Sequence, residues 1–242
     1  MERAEAARAQ MLELFPEGFE ERDTPDGVEL AAYTDAGGEE RLWAAFGQVS
    51  TMGVPSDWED RWRAFHRPLR VGPLWIGPPW ERPDPEATAV VIDPGRAFGT
   101  GGHPTTRLCL RLLLEVGRAS LLDVGCGSGV LAIAASRLGF SPVVGIDDDP
   151  VALAAARRNA RANHVSIDLR RGDALRTALP SADVVVANVS WEFAAKLGPR
   201  VRARDFIVSG YFESEQPVAE RYVRVRRLTE DGWAADLLRR EE

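Results

Sequence analysis

The pattern of apolar and polar positions in the second half of the chain predicts a regular alternation of strands and helices. Short segments that the pattern predicts as strands cover residues 121–123, 142–146, 166–170, 183–187 and 206–209. Segments with apolar residues at helical spacing cover residues 104–116, 130–134, 150–163, 191–197 and 213–222. Strands and helices that alternate in this way form an open, mostly parallel sheet with helices on both faces. We therefore predict a doubly wound, Rossmann-like α/β fold.

Two more strands are predicted near the end of the chain, over residues 223–228 and 233–238. The sequence Glu230-Asp231-Gly232 between them is rich in turn-forming residues. The two strands should therefore pair as an antiparallel hairpin, which would close the sheet with an antiparallel last strand.

The first part of the chain predicts a small α+β module over residues 1–54. Its expected elements are helices over residues 4–14 and 39–46, strands over residues 18–24 and 28–34, and a short strand through Val49 and Met52. Residues 55–95 are predicted to form a linker helix followed by an extended connector, in which prolines recur. Its expected elements are a helix over residues 57–65 and strands near residues 69–76 and 89–92. The remaining domain spans residues 96–242.

Composition narrows the classes of function. The 242 residues carry a net charge of −7, which argues against a protein that binds nucleic acid by neutralising phosphates. The two cysteines, Cys109 and Cys126, lack metal-site spacing and fit a reducing compartment. The first ten residues lack the apolar core of a signal peptide, and no run approaches the roughly 18 apolar residues of a membrane span. We expect a cytoplasmic protein with no metal, no direct nucleic-acid binding and no membrane association.

The stretch LLDVGCGSGVLAIAA, residues 121–135, carries the densest chemical signal. Asp123 ends a predicted strand, and three alternating glycines separate it from a predicted helix. Glycine lets the backbone approach a ligand, and the first helical turn offers free N–H groups. A dinucleotide fingerprint that starts at Gly125 would need its third glycine at position 130, where the chain has Val130. The loop instead resembles the first motif of class I methyltransferases, which bind S-adenosyl-L-methionine.

The second predicted strand ends at Asp147, where a carboxylate can accept hydrogen bonds from ribose hydroxyl groups. Acidic residues also occupy this position in NAD enzymes, so Asp147 alone indicates only an adenosine-containing cofactor. The glycine spacing favours the methyl donor over NAD. Asp123, Gly125, Gly127 and Asp147 are therefore candidate cofactor-binding residues.

A second candidate segment, DPGRAFGTGGHPTT, covers residues 93–106 ahead of the glycine loop. Phe98 is expected to face the adenosyl or sulfonium part of the cofactor, because a cation over an aromatic ring gains about 0.5–2 kcal/mol. Gly99 beside it is a further candidate cofactor contact. Thr105 and Thr106, in the first turn of a predicted helix, can hydrogen-bond the methionine carboxylate. His103 is the candidate general base of the segment, although positioning the loop is its favoured role.

Asn188 ends the predicted strand over residues 183–187, at the sheet edge where Asp147 and the glycine loop also meet. Its side-chain carbonyl can accept a hydrogen bond from an amine and aim the nitrogen lone pair, so Asn188 is a candidate catalytic residue as well as a cofactor contact. Methyltransferases that act on planar exocyclic amines usually follow this asparagine with two prolines. This chain has Val189 and Ser190 there, which disfavours adenine or glutamine amides as substrates.

Taken together, these segments resemble the bacterial ribosomal protein L11 methyltransferases, the PrmA family. The resemblance is carried by DPGRAFGTGGHPTTRLCL, LLDVGCGSGVLAIAA, VVGIDDDP, ADVVVAN and IVSGY. It implies a class I methyltransferase domain in which Thr106, Gly125, Asp147 and Asn188 contact S-adenosyl-L-methionine. The implied activity is methylation of lysine ε-amines and the N-terminal α-amine of the ribosomal protein, free or in the large subunit.

The resemblance is weaker at the N-terminus. The family usually has a strand ahead of the first helix, whereas this sequence begins with the predicted helix, so we expect a truncated ferredoxin-like domain. This departure bears on the choice of substrate rather than on the chemistry. Two alternatives stay open: a methyltransferase for small-molecule amines or carboxylates, and a cofactor-binding ribosome-assembly factor without catalysis.

Overall fold

The computed structural model describes residues 20–24, 27–32, 36–51, 67–93, 101–216 and 221–241, with residues 7, 10, 11, 14, 15 and 34. The chain divides into two compact units, residues 1–58 and residues 59–242. Each unit is described by itself below.

The first unit contains an antiparallel hairpin and a helix. Strands β1 (Glu20–Thr24) and β2 (Gly27–Ala31) pair at the predicted turn, and helix α1 (Ala36–Phe46) starts three residues before the predicted helix. Met11, Phe15 and Leu42 form its small core. The described residues of the predicted helix over 4–14 are helical, while the predicted helix over 57–65 and Met52 lie outside the described residues.

The strand predicted through Val49 is wrong, because residues 48–51 are irregular. The side chain of Val49 packs against the small core of this unit, as an alternating pattern would suggest. However, no strand among the described residues lies beside this segment to pair with its backbone. Burial of a single side chain without backbone partners does not make a strand.

The second unit begins with a three-stranded sheet of β3 (Leu69–Val71), β4 (Leu74–Gly77) and β5 (Thr88–Val91). Strands β3 and β4 are antiparallel, and β4 and β5 are parallel. The prediction of one strand over residues 69–76 is therefore wrong. Gly72 has a φ of +56° and Pro73 lacks an N–H, so the chain turns back between two short strands.

The second unit also contains a seven-stranded sheet at its centre. Its strands are β6 (Leu121–Val124), β7 (Val143–Asp147), β8 (Asp168–Arg171), β9 (Val184–Asn188), β10 (Asp205–Phe212), β11 (Tyr222–Glu230) and β12 (Trp233–Arg240). Their spatial order is β11-β12-β10-β9-β6-β7-β8, and β12 is antiparallel to both of its neighbours. The predicted doubly wound fold with an antiparallel last strand is confirmed for this unit. The strand order reverses between β6 and β9, which places the ligand crevice at their carboxyl ends.

Helices cover both faces of the large sheet. They are α2 (Pro104–Glu115), α3 (Val130–Arg137), α4 (Pro150–Ala162) and α5 (Trp191–Leu197), which continues into a 3₁₀ turn over Gly198–Arg200. One hydrophobic core lies under α2 and α3, and a second lies under α5 on the opposite face. This two-sided burial explains why the central strands read as continuous apolar runs.

The helix predicted over residues 213–222 is wrong at both ends. Residues 213–216 are turn and irregular backbone, Tyr222 begins β11, and residues 217–220 lie outside the described residues. The Glu215 N–H donates to the Phe212 carbonyl in a tight turn, and the Glu215 carbonyl accepts from Arg227 at 2.6 Å. The Arg227 side chain, from β11, thus takes a carbonyl that the predicted helix would have used internally.

The described residues contain no helix whose length and apolar character would allow it to cross a membrane.

Candidate functional site

The glycine loop after β6 is held against the neighbouring strand β7. The N–H groups of Gly125 and Cys126 both donate to the carbonyl of Ile146, at 2.8 and 3.1 Å. Gly125, Gly127 and Gly129 all have positive φ values, of +69°, +53° and +83°. Glycine adopts this backbone region without strain. The loop thus turns sharply at the carboxyl edge of the sheet and leads directly into α3.

Gly129 has a packing function besides its turn. A Cβ atom at this position would lie 3.2 Å from the Cβ of Ala156 on α4. That approach is tighter than ordinary van der Waals contact, so α3 and α4 can approach each other because residue 129 is glycine. The third glycine of the motif is therefore explained by helix packing, independently of any ligand.

Asp147 joins the end of β7 to the glycine loop. One of its carboxylate oxygens accepts from the Gly127 N–H at 2.8 Å, and the other accepts from the Asp149 N–H at 3.0 Å. The sequence predicted a ribose ligand here but not this contact with the loop. A carboxylate has about four acceptor positions, so these two bonds leave acceptor capacity for a pair of hydroxyl groups.

Asp123 places a buried carboxyl group behind the glycine loop. The side chain is 1% exposed, and its Oδ2 accepts from the Ala132 N–H at 3.0 Å. Its Oδ1 has no hydrogen-bond partner among the described residues. Burial, reinforced by the nearby charge of Asp147, raises the pKa of Asp123 to about 7. A buried oxygen without a partner fits a ligand that brings a hydrogen-bond donor or a cation, such as the ammonium group of an amino acid.

Replacing Asp123 with asparagine should remove a pH dependence of stability. An exposed carboxyl has a pKa of 3.8 and the folded one about 7, so between these values the folded state binds more protons than the unfolded state. The cost of ionising the buried carboxyl is absent below pH 3.8, grows as pH rises, and is complete above about 7. We expect the free energy of unfolding of the wild type to fall relative to Asp123→Asn across this window. Urea unfolding over a pH series measures the difference, and parallel curves would contradict it.

His103 caps the N-terminus of α2. Its Nδ1 accepts from the Thr105 N–H at 3.4 Å and lies 2.7 Å from the Thr105 hydroxyl. Partial burial, with a smaller effect of Arg107, lowers the pKa of His103. The imidazole is therefore neutral at neutral pH, as a capping acceptor must be. This engagement of Nδ1 favours the positioning role over the general-base role.

The two threonines of α2 lie at the same edge of the sheet. Thr105 and Thr106 are both 1% exposed. The Asn188 side-chain amide, at the end of β9, donates to the Thr106 hydroxyl over a long 3.4 Å. The structure thus brings together Thr106 and Asn188, as the sequence predicted. Phe98 and Gly99 lie outside the described residues.

Trp233 and Arg107, at this edge, were not identified from the sequence. Trp233 stacks on Phe212 with ring centroids 4.6 Å apart, and it meets the His103 ring edge-on at 4.8 Å. Arg107 donates to Glu230 at 2.7 Å and to Asp231 at 3.1 Å, so it ties the β11–β12 turn to α2. The available signal was the position of Arg107 directly after the histidine-containing segment.

Asn159 on α4 was also missed. Its side-chain amide donates to the Ser128 carbonyl at 2.9 Å, and its side-chain oxygen accepts from the Asp93 N–H at 3.1 Å. This buried side chain therefore connects the glycine loop to the start of the segment over residues 93–106. An asparagine on the inner face of a predicted helix was the signal that could have identified it.

The donor set of the site suits one class of ligand. The described residues contain no group of three or more histidine, cysteine or acidic side chains arranged to hold a metal ion. They do provide a carboxylate at the end of β7, a sharp glycine loop, a buried unpaired carboxyl oxygen and two polar side chains opposite. These groups fit a cofactor with ribose hydroxyls and an amino-acid moiety.

Comparison with known proteins agrees with this geometry. The family model of the ribosomal protein L11 methyltransferases (PrmA) matches residues 25–238. The ribosomal protein L11 methyltransferase of Pseudoalteromonas atlantica is 50% identical over 143 residues, which are 55% of this chain and 47% of that relative. The one of Symbiobacterium thermophilum is 41% identical over 191 residues, which are 77% of this chain and 62% of that relative. The chain thus spans about half to three fifths of the length of these curated relatives.

A solved structure supports the same assignment of the fold. The crystal structure of ribosomal protein L11 methylase from Lactobacillus delbrueckii subsp. bulgaricus matches with a TM-score of 0.66 at 28% identity. The match covers 73% of this chain and all of that chain (100%). Over that part of the chain, the fold is therefore shared with a methylase of known structure.

Proposed function

Because the chain belongs to the ribosomal protein L11 methyltransferase family, we propose that it transfers methyl groups from S-adenosyl-L-methionine to amino groups of ribosomal protein L11. The observation that carries this proposal is the convergence of three elements at one sheet edge. Asp147 holds the glycine loop through the Gly127 N–H, and Asn188 meets Thr106 on the opposite side. The proposed acceptors are lysine ε-amines and the N-terminal α-amine.

The donor would be held by the residues around the glycine loop. Asp147 is oriented by two backbone N–H groups and would accept hydrogen bonds from the ribose hydroxyls. Asp123 would offer its unpaired Oδ1 to the ammonium of the methionine moiety. Thr106 and Asn188 would complete the contacts, together with Phe98 and Gly99 from the segment that the structure does not describe. When bound, S-adenosyl-L-methionine supplies an electrophilic methyl group on a sulfonium sulfur.

The main chemical demand on the protein is a neutral, aligned amine. A lysine with a pKa near 10.4 costs roughly 4.6 kcal/mol to deprotonate at pH 7. Apolar surroundings reduce that cost because they disfavour the ammonium form. The stacked rings of Phe212 and Trp233 and the exposed ring of Trp191 would supply such surroundings.

Asn188 would align the acceptor. Its amide nitrogen donates to Thr106, which orients the side chain and leaves the amide oxygen to accept from the amine. A neutral amine that donates one N–H to this oxygen keeps its single lone pair free and points it in one direction. In-line displacement at the methyl carbon depends on that alignment more than on a strong base. His103, whose Nδ1 is engaged by the cap, would position the segment rather than take a proton.

Recognition of the protein substrate is assigned to residues 1–54, with residues 55–95 as connector and residues 96–242 as the catalytic domain. The partner would be the ribosomal protein in the cytoplasm, free or in the large subunit, without direct binding to nucleic acid.

The test is mass spectrometry of purified ribosomal protein L11 incubated with this chain and S-adenosyl-L-methionine. We expect the substrate to gain whole methyl groups, located by peptide fragmentation at lysines or at the N-terminus. Substrate with its amines chemically blocked is the matched control and should gain none. An unmodified substrate in the presence of a chain that binds S-adenosylhomocysteine would overturn the proposal in favour of a small-molecule acceptor or a non-catalytic role.

A further inference from the structure

The segment IVSGY, residues 207–211, lies beside Asn188 at the end of β10. Strand β10 pairs in parallel register with β9 up to Ser209, which is opposite Asn188. The register of β10 with β12 then shifts between Ser209 and Tyr211, so that Gly210 forms a β-bulge. Bulges at strand ends redirect the chain and the side chains next to them.

Gly210 lies against the backbone of Val189, the residue that follows Asn188. Its φ of +103° is in the region that favours glycine. A Cβ atom on Gly210 would lie 2.7 Å from the carbonyl carbon and 2.9 Å from the backbone nitrogen of Val189, and closer still to the carbonyl oxygen. A backbone cannot move away as a flexible side chain can. Only glycine allows this approach of β10 to the end of β9.

Val189 is also held from two other directions. Its N–H donates to the Ser209 carbonyl at 2.8 Å. Its Cγ1 lies 3.1 Å from the position that a Cβ on Gly125 would take, so its side chain rests on the glycine loop. Val189 is therefore packed between the loop after β6 and the bulge in β10. A shift of Val189 would move the backbone that carries Asn188.

The bulge itself is anchored on its far side. The Ser209 hydroxyl donates to the Ala234 carbonyl on β12 at 2.7 Å. The Tyr211 hydroxyl lies 3.0 Å from Oδ2 of Asp236, and both of these side chains are buried. Buried polar contacts on either side of Gly210 keep β10 from yielding when its inner surface is changed.

We propose that Gly210 is a positioning residue for the transfer reaction. By admitting the Val189 backbone, it fixes the direction in which Asn188 presents its amide to Thr106 and to the acceptor amine. The catalytic consequence rests on the proposed function, whereas the packing that fixes Val189 does not.

The test compares Gly210→Ala with Gly139→Ala. Gly139 has a φ of +94° and no atom within 4 Å of a built Cβ, so it carries the same backbone strain without the contact. We expect Gly210→Ala to lower kcat by about tenfold or more, since small misplacements are costly in group transfer. The Kd for S-adenosylhomocysteine should change less than about threefold, and hydrogen exchange of the Val189 amide should accelerate. Gly139→Ala should change none of these three quantities, although both variants lose thermal stability.

The exchange measurement separates this inference from the proposed function. Suppose that exchange at the Val189 amide is faster in Gly210→Ala but the wild type transfers methyl groups to no amine. This result would support the packing role of Gly210 and reject the proposed methyltransferase function. Unchanged exchange, or a loss of donor affinity larger than the loss of kcat, would overturn the positioning role.

If Gly210→Ala does not fold, Ser209→Ala weakens the bulge without adding atoms. In this variant, hydrogen exchange of the Val189 amide should accelerate by roughly fivefold, because the bulge loses one hydrogen bond. An unchanged exchange rate would overturn the inference.

Discussion

Replacing Asp147 with alanine should weaken the binding of S-adenosylhomocysteine by at least about 100-fold. A hydrogen bond to a carboxylate is worth about 1.5–3 kcal/mol, and the variant would lose two from the ribose. It would also release the Gly127 N–H, which Asp147 holds at 2.8 Å, and so loosen the loop that approaches the cofactor. Isothermal titration calorimetry measures the change.

Asp148→Ala is the matched control for this variant. Asp148 is the next residue along the chain and is exposed. Its replacement removes the same charge from the same turn, so long-range electrostatic effects are reproduced. We expect its affinity for S-adenosylhomocysteine to stay within about twofold of the wild type, as for an exposed and screened charge. Equal losses in the two variants would mean that Asp147 contributes only charge and does not contact the ligand.

Replacing Asn188 with alanine should lower kcat by about 100-fold while the affinity for S-adenosylhomocysteine falls less than tenfold. The reason is that the side chain aligns the acceptor, and misalignment of reacting atoms costs rate more than binding. Single-turnover methyl transfer to ribosomal protein L11, followed by mass spectrometry, separates the two effects.

Ser190→Ala provides a comparison two residues further along. Ser190 caps α5 by accepting from the Phe193 N–H at 3.4 Å. Loss of a cap costs about 1 kcal/mol of stability, so this variant reproduces local destabilisation without removing the aligning amide. Its kcat should remain within about twofold of the wild type. A similar loss of kcat in both variants would indicate that Asn188 acts through the stability of the loop.

The apolar runs were sufficient to predict the central sheet because its strands are buried on both faces. Strands β6, β7 and β9 coincide closely with the predicted segments, and their ends place Asp147 and Asn188 at one edge. Local chemistry also identified the glycine loop, since positive φ values at three alternate positions favour glycine. Where the pattern of apolar residues matches the burial of the strands, the sequence alone predicts the position of the site.

Predictions failed where distant partners decide the structure. At the start of the helix expected over residues 213–222, the Glu215 carbonyl instead accepts from the side chain of Arg227 on β11. Likewise, Arg107 and Glu230 are separated by 123 residues, and no periodicity along the chain brings them together. Contacts of this kind arise from topology, so they appear only once the strand order is known.

Calorimetry with two ligands on the unmodified chain tests directly whether the crevice is built for an adenosyl sulfonium. The crevice beside the glycine loop should bind S-adenosylhomocysteine with one molecule per chain and should not bind NADH, because the third glycine of a dinucleotide fingerprint is Val130 here. Binding of NADH without binding of S-adenosylhomocysteine would contradict the account.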